Sequence, residues 1–285
     1  MKIVLSISVI ALSAACFAQF NDNFESETGS AGGTLLTNGF GGGGQNGWYN
    51  PVSGSVDGNV FTYAGNSLGF ATNPNGGNQF VGMFVPAVQG VNRAQHNVAF
   101  ANGLWTVGFD FNGNFNGQLP TQDNLGSFSL QPSATANYFQ TIYQWGANAA
   151  TASAFDANIG HFVATGGAIL FESPGAAWKS LNLNHWYHQT VTWDFNSNLI
   201  VTTTLQDITA GGGVNTFQPT GWYLAGGAGN SLGLAMPTDV RLFASGGIGD
   251  MMGYDNLGVN VVPEPASLAV LGLATVGLVR RRRSR

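Results

Sequence analysis

The chain has 285 residues, of which 44% are apolar, 12% aromatic and only 8% charged. Lys2 and the five arginines after position 279 lie in terminal segments, so the body keeps Arg93, Lys179 and Arg241 against thirteen of the fourteen acids, a net of −10. A surface of that sign repels phosphate backbones, which excludes nucleic acid as a partner and leaves divalent cations and neutral glycans.

At the N-terminus, Lys2 is followed by the apolar run IVLSISVIALSAA and by Cys16-Phe17-Ala18 before Gln19. Charge, apolar stretch and small-residue site make residues 1–18 a secretory signal peptide, cut by signal peptidase between Ala18 and Gln19. A lipoprotein reading through Cys16 is the alternative, although Ser13 stands where a leucine is usual. Cys16 is the only cysteine, so the mature protein has no disulfide even in a compartment that permits one, and its stability must come from burial. The body, residues 19–261, fits one large all-β domain or two small ones; chains of this size bury roughly three quarters of their unfolded surface.

Period-two alternation recurs along the body, and no amphipathic helix interrupts it. Gly39 to Gly47 reads as a glycine-rich loop. Strands are predicted at Asn59 to Tyr63, Gln79 to Phe84, Gly126 to Leu130, Ala168 to Glu172, Asp239 to Ala244 and Leu257 to Val261. In LWTVGFDF, Trp105, Val107, Phe109 and Phe111 share one face; Tyr187, Val191, Trp193 and Phe195 do so in HWYHQTVTWDF, which leads across Asn196-Ser197-Asn198 into LIVTTTLQDI. Two such runs around a three-residue polar turn make a hairpin. Ten to thirteen short strands without crossover helices predict an antiparallel two-sheet sandwich, or jelly roll.

Residues 106–115 and 190–199 repeat a pattern of Asp, Phe, Asn, small, Asn, apolar. Two hairpin turns would use it, since Asp and Asn side chains bond nearby backbone amides. The spacing of Asp110, Asn112, Asn114 and of Asp194, Asn196, Asn198 also matches the start of a calcium loop. Phe115 and Leu199 stand where such a loop needs glycine, however, and Thr121 and Leu205 where it needs glutamate. His185 and His188, three apart, would point to opposite faces of a strand and make a poor metal pair.

The opening FNDNFES, the W-Y-x-x-x-V-x-W-D strand and the closing GYDNLGV together resemble concanavalin A-like and laminin-G-like sandwiches. The resemblance implies that the first and last strands are neighbours and that Asp22, Glu25 and Asp255 could share a structural calcium; otherwise they are surface acids and turn formers. No other cofactor is implied. No pair of glutamates suited to glycoside cleavage, no nucleophile motif and no phosphate loop occurs, so no catalytic residue is assigned. Trp48, Tyr49, Trp145, Trp222 and Tyr223 lie beside Gly and Asn, where exposed rings could stack on sugars. The expected function is structural or adhesive, with glycan binding; a secreted polysaccharide-acting hydrolase or lyase is the competing class.

The C-terminus, residues 262–285, is a sorting signal. Pro263-Glu264-Pro265 blocks regular structure and holds the backbone extended. The fourteen uncharged residues from Ala266 to Val279 would span only about 21 Å as a helix, less than the roughly 30 Å hydrocarbon core, so this short transmembrane helix anchors weakly and for a time. Arg280, Arg281, Arg282 and Arg283 form a stop that stays cytoplasmic and leaves the body outside. V-P-E-P-A-S-L, an apolar helix and R-R-R-R resemble the PEP-CTERM sorting domain. The resemblance implies removal of the tail by an exosortase in the inner membrane and delivery to the cell surface or an extracellular polysaccharide matrix. Intact-mass measurement of surface material is expected to show a mature chain ending near Glu264 or Pro265. Retention of Arg280 to Arg285 would contradict it, and replacing Pro263 and Pro265 with alanine should trap the precursor in the membrane.

Overall fold

A computed structural model describes residues 20–85, 90–132, 136–146, 151–245 and 247–262. The expected signal peptide with Ala18 and Gln19, and the tail from Pro263 through Arg283, lie outside the described residues. No helix among those described is long and apolar enough to cross a membrane.

Seventeen strands run through the described residues: β1 (Phe20–Asp22), β2 (Thr34–Leu35), β3 (Val56–Asp57), β4 (Asn59–Thr62), β5 (Gln79–Phe84), β6 (Asn92–Asn97), β7 (Leu104–Phe115), β8 (Asn124–Gln131), β9 (Phe139–Trp145), β10 (Ala154–Val163), β11 (Gly166–Glu172), β12 (Leu181–Asn182), β13 (Trp186–Asp194), β14 (Leu199–Asp207), β15 (Asn215–Phe217), β16 (Asp239–Ala244) and β17 (Asp250–Val261). A nine-stranded sheet has the order β15-β14-β13-β7-β17-β5-β4-β2, with β1 against β17; an eight-stranded sheet has the order β11-β10-β9-β8-β16-β6-β3, with β12 against β10. Apart from the parallel pair of β3 with β6, the named strands pair antiparallel, which is the sandwich that the alternation predicts. The first and last strands are neighbours, as the resemblance implied.

Alternation explains the layering. Trp105, Val107, Phe109 and Phe111 on β7 are fully buried between the sheets, as are Phe128 on β8, Phe139 and Tyr143 on β9 and Trp193 on β13. Their rings meet across the interior: Phe109 stacks on Phe128 at 4.6 Å and Phe111 on Tyr143 at 4.3 Å, and Trp193 packs edge-on against Phe139 at 5.1 Å. Buried polar groups also tie the sheets together: the Tyr254 hydroxyl on β17 lies 2.9 Å from both the Ser127 and Phe243 carbonyls, and the Tyr143 hydroxyl on β9 donates to Gln189 Oε1 on β13 at 3.1 Å.

A second aromatic cluster lies on the outer face of the nine-stranded sheet, where residues 63–78 fold over Phe80, Trp186 and Met251 with Tyr63, Leu68 and Phe70. Gly82 and Gly253 are register partners beneath it. A Cβ at Gly82 would meet Phe61 and Leu68 at 2.6 Å, and one at Gly253 would meet Trp186 at 2.9 Å, so the missing side chains make room for the rings. Trp186 Nε1 donates to the Ala71 carbonyl at 2.7 Å and locks the covering segment down.

The two Asp-Phe-Asn repeats part company. Residues 194–198 do form the hairpin turn: Asp194 accepts from the Asn196 amide at 2.9 Å, and Asn198 takes a positive φ of 59°. Residues 110–114 continue as strand, because the buried Asp110 finds side-chain partners from other elements instead of its own backbone. The long strands β6, β9 and β10 have no counterpart in the expected set, nor do the short β2, β3, β12 and β15.

Tyr254→Phe is expected to keep the fold but lower stability by about 1 kcal/mol, or roughly 2–4 °C in the thermal midpoint for a domain of this size. An unchanged midpoint would show that the hydroxyl contributes nothing to joining the sheets.

Candidate functional site

The core-facing row Ala94, Leu242 and Phe128 of adjacent strands β6, β16 and β8 fixes what the opposite face of the eight-stranded sheet displays. One rung outward-facing across the strands is Gln95, Arg241, Ser129 and Gln140; the next is Arg93, Phe243 and Ser127. Side chains two apart on a strand share a face, so these rungs form a single polar surface. It opens into a cavity of about 310 Å³ between Val52, Asn137 and the two rungs.

The guanidiniums are held in place from different sides. Arg241 Nε donates to Gln95 Oε1 at 2.7 Å, and Gln95 Nε2 donates to the Tyr49 hydroxyl at 2.7 Å. That hydroxyl donates to Asp239 Oδ1 at 2.8 Å, and burial together with the Asp239 charge pushes it up to about 12. Arg93 Nη1 donates to Ser55 Oγ at 2.6 Å, while its Nε is buried without a hydrogen-bond partner and its guanidinium lies 5.6 Å from the Phe243 ring centre. Burial lowers both arginines; Arg241 falls to about 10, helped by repulsion from Arg93.

On the other sheet the chain satisfies itself. Asp110 accepts from His188 Nδ1 at 2.6 Å if that nitrogen carries the proton, and from Asn73 and Asn256 at 2.8 Å each. Asp255, its register partner, accepts from Tyr63 at 2.8 Å, Asn73 at 3.1 Å and the Asn256 amide at 2.8 Å. Burial nevertheless pushes Asp255 up to about 7 and, beside Trp145 and Ser245, Asp250 up to about 6.

The sequence-predicted residues fall mostly elsewhere. Asp22, Glu25 and Asp255 have separate jobs: Asp22 accepts from the Phe24 amide and Trp48 Nε1, both at 2.8 Å, and Glu25 from the Asn78 and Gln79 amides at 2.6 and 2.8 Å. Among the described residues no group of three or more His, Cys, Asp or Glu side chains is arranged to hold a metal ion. Trp48, Trp145 and Trp222 are buried, so their faces are not offered to sugar rings: Trp48 bonds Asp22, Trp145 donates to Asp250 at 2.8 Å, and Trp222 stacks on His161 at 4.3 Å. The half-buried Tyr223 is fixed through backbone bonds to Phe162. Tyr49 alone of the five stands beside the polar cavity. His185 and His188 take different carboxylates, Asp207 and Asp110. Sequence reasoning missed Arg93 and Arg241, although their scarcity in an acidic body and their place in alternating segments were signals available to it.

Residues 261–283 match the PEP-CTERM protein-sorting motif. The protein is therefore an exported one, and the motif implies processing by an exosortase. No curated protein matches the chain. Solved structures similar to it include an endo-β-1,4-glucuronan lyase from the fungus Trichoderma reesei, 14% identical, covering 76% of this chain and 92% of that one with a TM-score of 0.45. Others are an alginate lyase from Aplysia kurodai (8% identical, 68% and 87% covered, TM-score 0.42) and the receptor-binding domain of botulinum neurotoxin D (8%, 77% and 48%, 0.40).

Asp255 and Asp250 bind protons more readily folded than unfolded. Their contribution to stability is complete below the unfolded value near 3.8 and is lost as pH rises through about 6 to 7. Differential scanning calorimetry should therefore find a midpoint at least about 4 °C higher at pH 5 than at pH 8. Asp255→Asn, which sets an amide against donors, should lower the midpoint throughout and flatten that slope; an equally steep slope would move the titration elsewhere.

Proposed function

We propose that this is a non-catalytic protein of the cell surface or extracellular matrix that holds polysaccharide in the polar cavity on the outer face of its eight-stranded sheet. The carrying observation is the lining of that cavity: hydroxyls, amides and guanidiniums that bond sugar hydroxyls, one aromatic ring, and no carboxylate or imidazole. Retaining glycosidases need two carboxylates about 5 Å apart, and inverting ones a wider pair. The Tyr49 hydroxyl, linked to Arg241 through Gln95, donates to Asp239 and is shifted away from neutrality, which makes it a poor general base. These features favour binding over turnover.

The export segments supply the rest of the reading. The signal peptide carries the chain out, the short apolar tail parks it in the inner membrane, and an exosortase releases it towards the polysaccharide that the body binds. Affinity electrophoresis of the mature protein through gels containing different polysaccharides should show retardation by at least one of them. Reducing-sugar release and ultraviolet absorbance of unsaturated products should stay at background. Gln140→Ala is expected to weaken retardation several-fold. Turnover would place the protein among enzymes, and uniform mobility in every gel would leave a scaffold without glycan binding.

A further inference from the structure

With thirteen acids against three cations the body repels its own copies, so two copies can approach closely only where charge is missing. Residues 157–171 and 208–238 contain no Asp, Glu, Lys or Arg. The two stretches meet beside β11: Phe162 bridges Tyr223, the Ala228 amide donates to the Ala164 carbonyl at 2.8 Å, and Leu232 stands 3.4 Å from where a Gly166 Cβ would be. Val163, Leu170, Phe171 and Leu232 are exposed there, Leu170 by 41% and Phe171 by 37% although both lie in a strand.

That strand is the end of the eight-stranded sheet. The strands at the other three sheet ends, β2, β3 and β15, have two, two and three residues, whereas β11 has seven. A short end gives another strand little to pair with, and a long one is a template. Phe162 exchanges both backbone bonds with Tyr223, on the side of β10 away from β11, so alternation turns the groups of Ile159 and His161 to their partners Glu172 and Leu170. The N–H and C=O groups of Ile169 and Phe171 therefore point away from the sheet, and among the described residues no backbone group takes them. The ladder to β10 shifts between Leu170 and Gly166, which leaves Leu170 to Glu172 as its regular part.

We infer that β11 docks against β11 of a second copy of this chain, antiparallel about a two-fold axis at Leu170, and joins the two eight-stranded sheets into one. In that register Ile169 of each copy exchanges backbone bonds with Phe171 of the other, and Leu170 meets its counterpart at the axis. Glu172, the only charged side chain of the strand, falls opposite Ala168 instead of a second carboxylate, and its own oxygen lies 3.4 Å from His161 of its own sheet. Apolar residues thus face apolar residues and no like charges meet, which is what favours a second copy as the occupant. The axis stands normal to the sheet, so both polar cavities open on the same face. The pairing does not depend on glycan binding, but a polymer held in both cavities at once would gain by avidity.

Sedimentation velocity of the mature protein over a concentration series should find a monomer–dimer equilibrium that tightens as sodium chloride rises, because salt screens the repulsion between two acidic bodies. Leu170→Lys sets like charges together at the axis and should raise the dissociation constant about ten-fold or more, with the wild-type circular dichroism spectrum retained. Phe40→Lys, at an exposed ring in the loop before β3 at the opposite end of the sheet, should leave the equilibrium unchanged. In a chain carrying Cys16→Ser, Leu170→Cys should form a covalent dimer under copper–phenanthroline, since side chains opposed at a pair without backbone bonds come close enough to bridge. Phe40→Cys in the same background should stay monomeric. A monomer at every concentration and salt overturns the inference, and so does a dimer that Leu170→Lys leaves intact. A Leu170→Cys variant that no oxidant cross-links overturns it as well, whatever the lysine variant does to the fold.

Discussion

Ring-on-ring burial between the two sheets is the constraint on which the rest of the structure depends. With Cys16 its only cysteine, the chain can form no disulfide within itself. The sheets are held together by Phe109 and Phe111 on β7 and Trp193 on β13 meeting Phe128, Tyr143 and Phe139 across the interior. This packing also fixes the register of everything facing outward, because moving any strand by one residue would exchange aromatic and polar faces. The polar cavity is thus the reverse side of the core: Ser127 and Ser129 face out because Phe128 and Leu130 face in.

The two outer faces have opposite uses. On the nine-stranded sheet, residues 63–78 cover much of the surface with a second aromatic cluster, and Asp110 and Asp255 are absorbed in fastening that cover through Asn73 and Tyr63. The acids that would suit a cation site are therefore structural hydrogen-bond acceptors, and burial raises the proton affinity of one of them, Asp255, which ties stability to pH. The eight-stranded sheet keeps a cavity, and there the local charge is the reverse of the global one.

Export and fold are separable parts of the same protein. The tail match ends at the last strand, β17, whose final residue Val261 also pairs with Trp105 at the edge of the core. Removing the tail beyond Pro-Glu-Pro leaves the sheet ladder complete.

Much of this was legible in the sequence. Alternation gave the sandwich, the β13 to β14 hairpin and the boundaries of β5 and β16, and the sorting tail could be read from the order of its Pro-Glu-Pro, apolar run and arginine cluster, since that chemistry is local. What sequence could not supply was which partner each polar group meets. Asn92 to Asn97 was not among the expected strands, since NRAQHN carries Ala94 as its one apolar residue; it is a strand because β16 supplies a ladder on one side. Asp22 and Trp48 were placed in two different sites and turned out to bond each other. Trp48, Trp145 and Trp222, candidates for sugar stacking if exposed, are buried. Period and propensity are properties of neighbours in the chain, whereas burial and the convergence of Arg93 with Arg241 come from strands some 150 residues apart, brought together only by tertiary pairing.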